Sequence, residues 1–417
     1  MKHHIHNLVE TSERALNRKK AVWMAIMTLF VYVICYFARQ ILGVVQPQML
    51  ESTDFTVEML GTVASVGMFS YAIGQLVCGV IGDYIKSKYM LSGGLFFAGL
   101  CSFVLPFTEN YVVLLVAYAL MSLFLSAIFG PLTKTIANNT APRYVTRVAL
   151  MSSIASIVSS PMAGVAAMIF KWNHAFIFSA SLQVIVGILT FIYFVVCEKK
   201  GWITYPPRAP RDKASKLGFG EQWKLLRSHS ILQYTVVAAM VGIQNSVAYW
   251  IPTYFVQHLG YASEEAAGIF TVVTFIKALA PFAFVLFLYE IVFKRTRVKQ
   301  ILMMSFGVSA LFYVFCFFVN APMVNVVLTS ISLLFAGGFS SVLFSIYCPN
   351  LKKLGNVSGI SGFLNFSNYM VAALANFIIS NVISSVGWSA VLIAWTVLMF
   401  IGFVVSLTLK NEKKAES

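Results

Sequence analysis

The sequence predicts an all-α integral membrane protein: twelve transmembrane helices in two pseudo-symmetric six-helix bundles. Three observations predict it. Apolar residues make up 59% of the 417-residue chain and charged residues only 11%, with a mean hydropathy of +0.80. A soluble domain carries about 45–50% apolar and about 25% charged residues. The apolar residues gather into twelve continuous runs, each near the ~20 residues a helix needs to cross ~30 Å of hydrocarbon. One long polar interruption, at 198–229, divides those runs six and six. A soluble enzyme, a disordered scaffold and a secreted disulfide module are excluded, because no globule of this size hides so much apolar sequence.

The chain opens with a basic tail, 1–20, followed by spans at 21–46, 59–82, 89–107, 111–135, 148–170 and 175–197, so that 21–197 forms the first bundle. The first run is too long, and too polar near its end, for a cleavable signal peptide. All the runs are continuously apolar rather than alternating, which excludes membrane strands. A linker at 198–230 follows. Its Pro-rich start cannot continue a helix, whereas Leu217, Phe219, Trp223 and Leu226 set against Lys216, Lys224 and Arg227 suit a short helix lying on the membrane surface. The second bundle, 231–409, contains spans at 231–257, 266–290, 301–319, 323–347, 358–384 and 388–409, and 410–417 is a second basic tail.

The charge of +15 would suit a nucleic-acid binder if it were gathered on one face, but it is parcelled among the loops. With the N-terminus inside, the inner segments hold five Lys and Arg in the first tail, Lys86 and Lys88, Arg143 and Arg147, eight in the central linker, four between the eighth and ninth spans, Lys352 and Lys353, and three in the last tail. The outer loops hold Lys171 alone. Such asymmetry predicts that both termini are cytoplasmic in a multi-pass cell-membrane protein, that the bilayer is its partner, and that nucleic acid is not. The sequons at Asn138 and Asn356 then fall on the cytoplasmic side and go unused. The six cysteines form no C-x-x-C pair, so neither a disulfide framework nor a metal centre is expected. No cofactor motif and no nucleotide-binding Gly-x-x-x-x-Gly-Lys is present, and no paired intramembrane carboxylates or nucleophile–base pair suggests an enzyme.

The second-to-third loop reads Gly79-Val-Ile-Gly-Asp83-Tyr-Ile-Lys86-Ser-Lys88, and the matching loop of the second half carries Glu290 and Arg297. The first resembles the loop signature of the major facilitator superfamily. On that resemblance Asp83, Lys88, Glu290 and Arg297 are expected to gate the inner face by pairing and unpairing charges; ordinary loop charge is the plainer reading.

The end of the first span, Tyr36-Phe-Ala-Arg39-Gln-Ile-Leu-Gly-Val-Val-Gln-Pro47, the seventh-span Trp250-Ile-Pro252-Thr253-Tyr254, Tyr71, and Pro131 with Lys134 and Thr135 together resemble the organophosphate:phosphate antiporter family. That resemblance covers essentially the whole chain. It implies that Arg39 contacts the anionic group of a substrate, with Tyr36 and Tyr71 beside it. Physical reasoning agrees: an arginine this deep in a span is costly facing lipid, and its planar fork suits phosphate or carboxylate. The family's second substrate arginine falls at Gln244, and its other basic positions at Gln40 and Gln75. A clamp reduced to one arginine shifts the expectation from a dianionic phosphate toward a monoanion, a sugar acid or a polyhydroxylated ligand.

Lys277, in Phe275-Ile-Lys277-Ala-Leu-Ala-Pro281, lies mid-span without a carboxylate at its depth, and an anion in a cavity would supply one. Its plainer reading is a lysine snorkelling to water. Gln244, Asn245 and Tyr249 in the seventh span, and Asn365, Asn368 and Tyr369 at i, i+3, i+4 in the eleventh, complete the expected binding set with Gln75. Ser159 and Ser160 suit close helix packing. No Asp, Glu or His falls in the middle of a span, so anion exchange or uniport is expected over proton coupling. The expected function is a monomeric secondary transporter moving a small organic anion, of organophosphate or sugar-acid type, by alternating access. The alternative is a transporter-like membrane sensor that binds a sugar phosphate and signals to a partner kinase.

Overall fold

The computed structural model describes residues 2–82, 84–205, 230–294, 297–319, 321–348 and 357–409. Twelve long helical segments are present among them, eleven of which hold a stretch long and apolar enough to cross a membrane, and no strand. In the first half they are Lys2–Ser52, Val57–Ile81, Ser87–Val104, Tyr111–Ser126 continued by Phe129–Asn139, Pro142–Ile169 and Trp172–Lys199. In the second half they are Ile231–Gln257, Ser263–Ala278 continued by Pro281–Val292, Val298–Phe318, Pro322–Ser341 continued by Val342–Tyr347, Val357–Ser385 and Trp388–Leu407. An even number of crossings leaves both chain ends on one face, the terminal face; the opposite one is the far face. The expected surface helix at Leu217–Leu226 and the gate residue Asp83 lie outside the described residues.

Helix forms because lipid offers the backbone no partner, so each span closes its own hydrogen bonds. The outward faces confirm the solvent: Leu189, Phe287 and Phe400 are exposed on them, a burden a soluble monomer rarely carries. Two departures from the expected elements have clear causes. The first helix begins at Lys2 rather than at residue 21. At 1.5 Å per residue its 51 residues extend about 76 Å, so its first turns project well beyond a bilayer. The fourth span is broken at Ala127–Ile128, just before Gly130 and Pro131, because proline in a helix tolerates only the first turn.

Spans eight and ten each change from α-helix to π-helix part-way, at Pro281 and at Val342. Pro281 lacks the amide that would close onto the carbonyl of Lys277, four residues earlier, and its ring crowds that carbonyl. Span ten lies tightly on this break, because Gly337 faces Ala280: a Cβ added at Gly337 would stand 2.5 Å from the Ala280 Cβ.

The halves meet along three seams, the second span on the eleventh, the fifth on the eighth and the first on the seventh. Toward the far face these seams are close. A Cβ added at Gly43 would sit 2.6 Å from the Tyr249 ring, Gly61 abuts Ser380, and Gly164 abuts Thr271. Glu51 Oε1 at the end of the first span accepts from Ser263 Oγ at the start of the eighth, 2.5 Å away. The far end is therefore shut.

Candidate functional site

A cavity of about 230 Å³ lies near mid-span between the halves. The first half contributes Tyr36, Gln40, Ser159 and Ser160 to its wall; the second contributes Gln244, Asn245, Thr274, Lys277, Ser340 and Ser341. Drug-sized ligands occupy roughly 300–1,000 Å³, so this chamber suits one small solute. Among the described residues its polar groups apart from the lysine are amides and hydroxyls, and none that lines it is acidic.

Lys277 reaches the chamber from the last α-helical turn of the eighth span, where Thr274, Lys277, Ala278 and Pro281 share one helical face. Among the described residues its ammonium has neither a carboxylate nor a hydrogen-bond acceptor, and it is half-buried. A charge so placed is left for something that enters the chamber to neutralise. Gln244 is buried beside it; its Nε2 donates to Tyr313 Oη at 3.4 Å, while its Oε1 has no donor.

Arg39 takes a different position from the one the sequence implies. It is not part of the chamber wall, although Tyr36 and Gln40 on either side of it are. The guanidinium is 8% exposed and sits in a cage of tyrosines, with its Cζ 3.8 Å from the Tyr71 ring centre, 4.7 Å from that of Tyr369 and 5.9 Å from that of Tyr36. Its Nη1 donates to Tyr369 Oη at 3.2 Å, and its Nη2 approaches Met68 Sδ at 3.7 Å. Stacked rings suit guanidinium better than ammonium. The cage joins the halves, since Tyr36 and Tyr71 belong to the first and Tyr369 to the second.

The eleventh-span face expected to bind substrate instead stitches the seam. Asn365 Nδ2 donates to Gln75 Oε1 at 2.8 Å, Tyr369 accepts from Arg39, and the Ala373 carbonyl accepts from Ser65 Oγ at 2.7 Å, one helical turn apart each time. Asn368 Oδ1 accepts from Asn245 Nδ2 at 3.1 Å within the second half. Tyr249 packs on Gly43 with its hydroxyl buried and unpartnered. The chamber thus brings together Tyr36, Gln244, Asn245 and Lys277 of the expected set and leaves Arg39, Tyr71, Gln75, Tyr249, Asn365, Asn368 and Tyr369 off its wall. Sequence reading missed Thr274, Ser340 and Ser341, and it gave Ser159 and Ser160 only a packing role. Thr274 was legible as the residue one turn before Lys277; nothing in the sequence marks Ser340 or Ser341.

The expected gate charges lie at the terminal face. Lys88 Nζ pairs with Glu198 Oε2 at 2.7 Å, a partner in its own half, and Tyr205 Oη donates to Glu198 Oε1 at 2.7 Å. Burial and then Glu198 push the Tyr205 phenol above its ordinary range. Glu290 is half-buried and Arg297 lies 5.7 Å from the Phe293 ring centre. Lys134 Nζ donates to the Gly82 carbonyl at 3.1 Å.

Comparison with known proteins agrees with this architecture. Relatives from Bacillus subtilis (strain 168) include a hexuronate transporter, 24% identical over 83% of this chain and 85% of the relative, and the uncharacterized transporter YybO, 23% identical over 82% and 83%. Among solved structures, an inward-facing, occupied bacterial homolog of the human lysosomal transporter Spinster superposes with a TM-score of 0.71 at 11% identity, over 93% of this chain and 96% of that one. The nucleoside transporter NupG superposes with a TM-score of 0.67 at 14% identity, over 94% and 100%. Both share the fold. Residues 28–372 match the Major Facilitator Superfamily as a whole. The two-bundle membrane fold, the chamber between its halves and that match establish that this chain belongs to the Major Facilitator Superfamily, as a transporter of small solutes rather than an enzyme.

Proposed function

We propose that this transporter carries a small organic monoanion of the sugar-acid type through the central chamber by alternating access. The observation that supports this is Lys277, whose ammonium is, among the described residues, the one charge on a wall of amides and hydroxyls. One compact point charge matches one carboxylate; a dianionic phosphate is held better by an arginine fork or by several cations. The amides of Gln40, Gln244 and Asn245 suit the hydroxyls of a sugar, and one relative is a hexuronate transporter. An organophosphate substrate has less support, since no arginine among the described residues lines the wall.

The halves rock about the chamber, with Arg39 shared between them. In the present state the cage holds it, and parting of Tyr369 from the first half frees it to meet the solute. Exchange fits this chamber: an incoming anion replaces an outgoing one while the ammonium stays paired. The terminal face is the cytoplasmic one in this reading, which the basic loops support.

Uptake of labelled glucuronate into proteoliposomes tests the reading. Wild type exchanges glucuronate, with glucose 6-phosphate and inorganic phosphate competing weakly, and Lys277→Gln abolishes exchange. Unchanged exchange in that variant, or preference for the phosphate ester, overturns it.

A further inference from the structure

We infer that Lys277 carries the proton that couples net movement of the solute: the anion crosses paired to the ammonium, and the empty carrier returns with the amine neutral. The inference rests on the anion reading above and adds its energy source.

The geometry of the chamber leads to it. The spans packed against this stretch of the eighth are the first, fifth, seventh and tenth. The first presents Tyr36, with Arg39 one layer behind in its cage, the fifth Ser159 and Ser160, the seventh Gln244 and Asn245, and the tenth Ser340 and Ser341. The eighth itself adds Thr274. None of these is acidic, and the one other charge, Arg39, has the same sign. Loaded with a carboxylate, the chamber is neutral around Lys277. Empty and protonated, it holds a bare cation that no acid among the described residues meets, and a low-dielectric interior opposes carrying that cation across. The return stroke is easiest with the charge removed.

Arg39 cannot take this part, because a guanidinium does not deprotonate in proteins. Lysine can, and buried lysines change protonation readily. Its position supplies the access: Lys277 sits at the α-to-π break of the eighth span, with the tenth-span break at Ser341–Val342 beside it. Two helices that change their winding at the chamber wall can turn this side chain from one opening to the other.

The cycle balances. On the entry side the neutral amine takes a proton from water on its lone pair, and the carboxylate docks on the ammonium. After the halves rock, the anion leaves into the opposite compartment. One N–H bond then breaks there heterolytically, its electron pair staying on nitrogen and the proton passing to water. One proton and one monoanion have crossed together, with no net charge moved, and the neutral amine returns. Anion exchange skips the deprotonation.

The test uses proteoliposomes with glucuronate as probe and the membrane potential clamped. Wild type accumulates glucuronate when the outside is acidic, and an entrapped pH dye shows the lumen acidifying as the anion enters. A gradient of about one pH unit supports roughly tenfold accumulation for a one-to-one couple. Lys277→Arg, permanently charged, loses gradient-driven accumulation, and any exchange it keeps at equal pH runs without lumenal acidification. Accumulation by Lys277→Arg equal to wild type overturns the inference. So does net uptake of glucuronate by wild type into vesicles that hold none, under a gradient, without lumenal acidification, a result that needs no variant to fold and leaves the anion reading standing. Failure of wild type to be thermally stabilised by glucuronate, or to exchange it, removes the anion reading and this inference with it.

Discussion

Arg39, in the first span, donates to the hydroxyl of Tyr369, in the eleventh, at 3.2 Å, so a deeply placed cation of one half is held by the other. A hydrogen bond to a charged group contributes about 1.5–3 kcal/mol. If the halves rock as proposed, that contribution bears on the balance between conformations as well as on folding, since this bond joins one half to the other.

Tyr369→Phe removes the acceptor and keeps the ring over the guanidinium. The expected result is a shift away from the far-closed state by roughly ten- to a hundredfold in equilibrium. The readout is faster maleimide labelling of a cysteine at Ser263, at the far face, in Tyr369→Phe than in the parent. Equal labelling would show that the bond does not hold the seam.

Gly43 faces Tyr249 where the first and seventh spans cross near the far face. Gly43→Val places branched carbons in occupied space, and overpacking of this kind costs about 1–3 kcal/mol. Because the clash arises in the far-closed state, uptake should fall several-fold, and far-face labelling should rise with little loss of thermal stability in detergent. A large stability loss with unchanged labelling would place the cost in both states.

Lys88 and Glu198 pair at the terminal face within one half, and both remain partly exposed. Such exposed pairs contribute little to stability, because water screens them. Lys88→Gln and Glu198→Gln should each leave transport near wild type and lower thermal stability slightly, with the double variant no worse than the sum of the two. Loss of transport in either single variant would restore the gating role that the sequence motif implies.

Tyr205 donates to Glu198, and burial followed by that carboxylate holds its phenol protonated above the ordinary range. A raised native value means its contribution to stability is complete below the unfolded tyrosine value of about 10 and is lost as pH rises past it. Wild type should therefore lose thermal stability more steeply above that pH than Tyr205→Phe does. Parallel curves would remove the phenol from the balance.

The basic loops predict which face is cytoplasmic. In intact cells an impermeant maleimide should label a cysteine at Lys171 and spare one at Arg297. The reverse pattern would invert the topology.

Much of this architecture was legible in the sequence because hydrocarbon imposes a simple demand: each apolar run of sufficient length becomes a helix, and basic residues between runs bias its direction. Lys277 was legible for the same reason, as a charge where charge is costly. What could not be read were distances between spans far apart in the chain. Arg39 and Lys277 both look like cavity cations by depth alone, yet the rings of Tyr71 and Tyr369 enclose one and leave the other facing open space. Asn365 and Tyr369 have the spacing of a binding face, and the partners that turn that face into a seam, Gln75 and Arg39, come from the opposite half. Ser340 and Ser341 carry no signal of their own, because hydroxyls are common in membrane helices and only packing decides which of them meet water.

The change of winding in spans eight and ten has a mechanical consequence. The fourth span, counterpart of the tenth, also has a break, at Ala127–Ile128, whereas the second span, counterpart of the eighth, runs unbroken from Val57 to Ile81. The repeat is symmetric in layout and unequal in compliance. On the transport reading proposed above, the second bundle, with two changes of winding flanking one lysine, is expected to be the side that yields when a solute arrives or departs.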